Sequence, residues 1–116
     1  MEGFKERGSI SRPPLLDGSK YAYWKAKMIA FLRSIDSKTW KSVIAKWMAP
    51  TVTNKNVVTV KPEAEWTGEE DEAVLTNDKA LNPIFNVVDI NVFKLINTCT
   101  VAKTAWETLE TAYEGT

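Results

Sequence analysis

Arg12-Pro-Pro-Leu-Leu-Asp-Gly-Ser-Lys-Tyr-Ala-Tyr-Trp-Lys-Ala-Lys-Met-Ile-Ala-Phe-Leu32 passes from rigid extended chain, through a tight turn, into an amphipathic helix. Pro13 and Pro14 hold the lead-in out of helical space. Asp17-Gly18 is a turn pair, and Ser19 stands where a helix N-cap belongs. Tyr21, Trp24, Met28, Phe31, Leu32 and Ile35 then recur at helical spacing, which predicts a first helix from Tyr21 to about Ile35.

Further along, the same pattern repeats in shorter pieces. Asp36 and Ser37 re-cap a second helix whose stripe is Trp40, Val43, Ile44 and Trp47, ended by Pro50. Residues 50–65 have two readings. Thr51-Val-Thr and Val57-Val-Thr-Val60, flanking Asn54-Lys-Asn56, suit a small hairpin or an ordered loop that carries valines to the core, and the balance favours the loop. Thr67 and Glu70 have the spacing of a capping box, so a third helix begins after Trp66. Its expected inward face is Ala73, Ala80, Leu81, Ile84, Phe85 and Val88, with a kink or break near Asn82 because Pro83 follows. Asp89 caps a short fourth helix carrying Val92, Phe93 and Ile96. Thr100 caps a fifth, with Ala102, Ala105, Trp106, Leu109 and Tyr113 inward. The expected fold is therefore all-α: a compact bundle of four to five helices, with a long loop or small hairpin between helices 2 and 3. Residues 1–12 are expected to form a flexible basic arm, and 13–116 a single helical lobe.

With 116 residues, the chain can bury one core. Its longest apolar run is Met28 to Leu32, far short of a membrane span, so no membrane association is expected and the chain is placed in the cytoplasm. A lone Cys99 agrees with a reducing compartment and is read as a buried structural thiol. Net charge is zero but lopsided. Residues 1–58 hold eleven Lys/Arg against four Asp/Glu (+7), and residues 59–116 hold four against eleven (−7). Either the halves neutralise each other within one fold, or the bipolar molecule attracts copies of itself.

The inventory for catalysis is poor. There is no histidine, which removes the usual general base, and a single cysteine without histidine cannot build a Cys/His zinc site. No glycine lies in a phosphate-cradling loop. The acidic run Glu69 to Glu72 is consecutive, so its carboxylates point in different directions; it reads as serving the helix dipole, with a partner-binding acidic knob or a cation site as the other readings. No catalytic, cofactor or metal residue is assigned. Tyr21, Trp24, Trp40, Phe85, Phe93 and Trp106 sit in apolar stripes and are expected as core aromatics. Trp47 and Trp66 flank the long connection and are candidate interface anchors. Leu15 and Leu16 either pack on the first helix or insert into a neighbouring copy. Lys5, Arg7, Arg12, Lys20 and Lys27, interleaved with aromatics, read either as solvated surface or as a weak, salt-sensitive RNA contact.

One resemblance connects these pieces. Leu16-x-Gly18-x-x-Tyr21-x-x-Trp24-Lys25-x-x-Met28-x-x-x-Leu32 resembles the opening of the Gag polypeptide of plant copia-type LTR retrotransposons. Glu69-Glu-Asp-Glu-Ala73, Asn77-Asp-Lys-Ala-Leu-Asn82, Phe93-Lys-Leu-Ile-Asn-Thr-Cys99, Ala102-Lys-Thr-Ala-Trp-Glu-Thr-Leu109 and Tyr113-Glu-Gly-Thr116 look like the same family in the same order. The resemblance implies a capsid-like helical lobe that works by assembly, with itself or full-length Gag as partner and no cofactor. Gag of this kind continues into a second lobe and a zinc knuckle, its usual RNA binder; neither lies within these residues. The rival reading is a helical adaptor that clamps an apolar peptide.

Overall fold

Apolar side chains at helical spacing produce helices where they occur. The computed structural model describes residues 15–114, and among these stand five helices: α1 (Tyr21–Ile35), α2 (Ser37–Ile44), α3 (Gly68–Asn86), α4 (Ile90–Ile96) and α5 (Ala102–Glu114). Between α2 and α3 stand β1 (Thr51–Asn54), β2 (Val57–Val60) and a short 3-10 turn, Glu63–Glu65. The molecule is thus a helical bundle with one small antiparallel sheet, not purely all-α.

α1 begins as its spacing predicts, but Ser19 does not cap it. The Asp17 carboxylate accepts from the Ser19 N–H (3.0 Å) and hydroxyl (2.7 Å), so the serine is committed to the turn. Lys20 takes the cap position in a left-handed conformation, φ 52°, without a side-chain cap. Asp36 caps α2 as expected, its Oδ1 accepting from the Thr39 N–H at 2.7 Å. That helix stops at Ile44, well before Pro50, where the Ala45 N–H closes on the Lys41 carbonyl. Ile44 and Trp47 therefore leave the expected stripe, and Thr39 joins Val43 on the buried side.

The capping box at Thr67 and Glu70 forms in full. Beyond it α3 runs continuously through Pro83, so of the expected kink or break the break does not occur. Proline there removes one backbone donor near the end of the helix, while Ala80 and Ile84 on either side are fully buried and hold the turn by packing. Ala73 is exposed; the inward face starts instead at Asn77. Asp89 caps α4 through the Val92 N–H, as expected.

The start of α5 is held from another helix. Asn77 Oδ1 accepts from the Ala102 N–H at 2.8 Å, and Asn77 Nδ2 donates to the Thr100 carbonyl at 2.8 Å. Thr100 thus contributes its carbonyl to this junction.

Met28, Leu32, Ile84, Val92, Ile96 and Leu109 form the centre of the core. Leu16 joins them with 0% exposure. Its N–H donates to the Val87 carbonyl (2.7 Å) and its carbonyl accepts from the Asp89 N–H (2.8 Å), a parallel bridge beside Val88. Leu16 is therefore a core residue, not one that inserts into a neighbour. Stacked and edge-on rings cross the bundle from Tyr113 through Tyr21, Trp24 and Trp106 to Trp40, each step between 5.4 and 5.9 Å. Tyr21, Trp24 and Trp106 are buried, while Trp40, Phe85 and Phe93 are half-buried against the core, as is Cys99.

Candidate interaction surface

Residues 51–60 form a hairpin where a loop was favoured. Lys55 (φ 53°) and Asn56 (φ 69°) both take left-handed conformations, the pair that a two-residue type I′ turn requires. Asn56 tolerates this region well, and the strand register follows: Thr51 opposite Val60, Val52 opposite Thr59, Thr53 opposite Val58, Asn54 opposite Val57.

Lys61 fastens the base of the hairpin to α3. Its N–H donates to the Pro50 carbonyl (2.9 Å), and its carbonyl accepts from Trp66 Nε1 (3.1 Å). Its ammonium donates to Glu70 Oε1 (2.8 Å), the same oxygen that accepts from the Thr67 N–H in the capping box. The hydrogen bond from Lys61, followed by that from the Thr67 backbone, holds the Glu70 carboxyl below its ordinary range. Trp47 packs edge-on against Trp66 with centroids 6.3 Å apart. Both indoles are half-buried, so each braces the other at this base while keeping part of its surface open.

Above that base every strand residue is exposed. Val58 is 63% and Val60 70% exposed, and Val57 and Val52 lie open on the other face. Met48, at 74%, and Ile44 extend the exposed apolar series towards α2. The valines do not reach the core, and neither strand carries a charge.

A second surface lies at the start of α1. Leu15 is 61% exposed and shares a shallow depression of about 380 Å³ with Lys20, Tyr23 and Lys27. The structure thus brings Lys20 and Lys27 together beside an exposed ring. Lys5, Arg7 and Arg12, with Pro13 and Pro14, lie outside the described residues. Lys25 points elsewhere: its ammonium donates to Glu114 (2.7 Å) and Glu110 (2.9 Å) on α5. The Glu114 hydrogen bond, reinforced by Glu110, raises the Lys25 pKa although partial burial opposes it. Burial pushes the neighbouring Tyr21 phenol up to about 12. Lys25 with its two glutamates, and the looser Lys79–Asp36 contact at 3.7 Å, join the basic half of the sequence to the acidic half within one fold.

Spacing had singled out Trp47, Trp66 and Leu15, and these do sit at the surface. The β-branched runs that hold the hairpin valines left hairpin and loop both open, and nothing in the spacing pointed to Lys61. Among the described residues, no helix is long and apolar enough to cross a membrane, and no group of three His, Cys, Asp or Glu side chains could hold a metal ion. No family model matches this chain, and neither a curated protein nor a solved structure is significantly similar to it.

Proposed function

We propose that this chain is a non-enzymatic assembly lobe, of the kind found in the capsid region of copia-type Gag, and that it acts by associating with copies of itself or with full-length Gag. The observation that carries the reading is the projecting hairpin. Its ten residues are all exposed, four of them are valines, and none is anchored in the core. Contiguous exposed apolar surface is a feature of protein contact sites. A net charge of zero leaves no long-range repulsion to keep copies apart. The family resemblance supports the same reading, since its segments fall on α1, α3, α4 and α5, the elements that build the core.

Sedimentation velocity over a concentration series tests this. An assembly lobe gives a weight-average mass that rises with concentration, whereas a chain that stays monomeric up to about 1 mM, the limit of weak specific binding, rejects the proposal.

A further inference from the structure

We propose that the outer edge of β2 pairs with β2 of a second copy, in antiparallel register about a two-fold axis at Thr59; this rests on the self-association proposed above and names its contact. The hairpin's own hydrogen bonds determine which groups are on offer. Lys61 N–H to Pro50 carbonyl makes 50 and 61 a bonded pair. Because bonded and non-bonded pairs alternate in an antiparallel ladder, 52 with 59 and 54 with 57 are bonded too. The N–H and carbonyl groups of Val58 and Val60 therefore point away from β1, and they have no backbone partner among the described residues.

A two-fold pairing of this edge must match outward residues with outward residues. Three registers do so. Setting Val58 opposite the second copy's Val58 brings Val60 opposite Asn56, a left-handed turn residue outside the ladder, so only one pair exchanges hydrogen bonds. Setting Val60 opposite Val60 brings Val58 opposite Pro62, which has no N–H to give. The third sets Val58 opposite Val60. Both pairs then exchange two hydrogen bonds, four in all, and Val58 packs beside Val60 twice on one face of a four-stranded sheet. The same register brings the turn of one copy, which carries Lys55, to the end of the other copy's β2, where the chain leaves through Pro62 to Glu63, and does so on both sides of the axis. Lys55 and Glu63 are both exposed, so each is available.

The opposite edge is the weaker candidate. Pairing β1 with itself about Val52 offers Thr51 and Thr53 in place of valines. Uncharged strands without a bulge are the type of edge that adds another strand. Pro62 and the turn at Lys55 and Asn56 limit the addition to these few residues.

The test uses the full 116-residue chain in sedimentation equilibrium. Val58→Pro deletes an outward N–H and leaves the internal ladder whole; it is expected to weaken dimerisation by about tenfold or more. Lys55→Glu is expected to weaken it as well, and adding Glu63→Lys to restore it. In a Cys99→Ser background, Thr59→Cys lies across the axis from itself and is expected to form a disulfide dimer on oxidation, while Thr53→Cys is not. If the chain associates but Val58→Pro associates equally, or the Thr59→Cys chain stays uncross-linked, the β2 edge is rejected and self-association stands. If the unaltered chain is monomeric throughout, both fall. Should Val58→Pro unfold the hairpin, the cross-linking pair still decides the matter.

Discussion

Leu16 has no exposed surface and makes two backbone hydrogen bonds to the chain between α3 and α4. Truncating it leaves a cavity beneath that junction. Leu16→Ala is expected to destabilise the fold by about 3 kcal/mol, read as a lower midpoint in urea unfolding. Leu15→Ala, next to it but largely exposed, is expected to change stability by less than about 0.5 kcal/mol. Asn77 is the polar counterpart. It is fully buried and satisfies one donor and one acceptor at the start of α5. Asn77→Ala leaves both backbone groups without a partner and is expected to cost about 2–3 kcal/mol by the same measurement.

Two helix starts carry carboxylates that respond to acid. The Thr39 backbone N–H holds the Asp36 carboxyl below its usual pKa, and Lys61 does the same for Glu70. Each group titrates lower in the folded chain than in the unfolded one. The folded state therefore binds fewer protons in that window, so the stabilisation is complete above the ordinary carboxylate pKa of about 4 and is lost as pH falls through the folded values. Glu70→Gln and Asp36→Asn are expected to flatten the acid limb of the stability–pH curve, measured by urea unfolding from neutral pH downward. These caps are also what spacing alone could show. Asp36, Asp89 and the Thr67–Glu70 box announce their helices because the signal is local and its chemistry short-range. The hairpin was legible only as one of two readings, from its β-branched runs and the Asn-Lys-Asn between them. A half-buried strand alternates apolar with polar residues, but β1 and β2 bury neither face, so their order carries no such period. Their turn also lacks the glycine that usually betrays a type I′ geometry. Pro83 does not end α3, although its local cost is real, because tertiary packing outweighs it. Asn77 and Leu16 were out of reach for a different reason: their partners lie more than twenty residues away, at Thr100 and Ala102 and at Val87 and Asp89.

At the level of the whole molecule, the bundle and the hairpin are separable. No hairpin residue is buried, and Pro50 and Lys61 already lie within hydrogen-bond distance of each other. Replacing residues 51–60 with Asn-Gly is expected to leave the melting temperature within about 4–8 °C of the parent, the shift of about 1 kcal/mol in a domain of this size. The same excision is expected to abolish the concentration-dependent mass. The bridge from Leu16 to Val88 has the opposite character, since it links the beginning of the described chain to its final third. During synthesis the N-terminal leucine must wait, with its apolar side chain open to water, until the segment around Asp89 has left the ribosome. Trp24 waits longer still for Trp106. A nascent chain of this lobe is thus expected to stay protease-sensitive until the segment around Trp106 has emerged, and then to close in a single step.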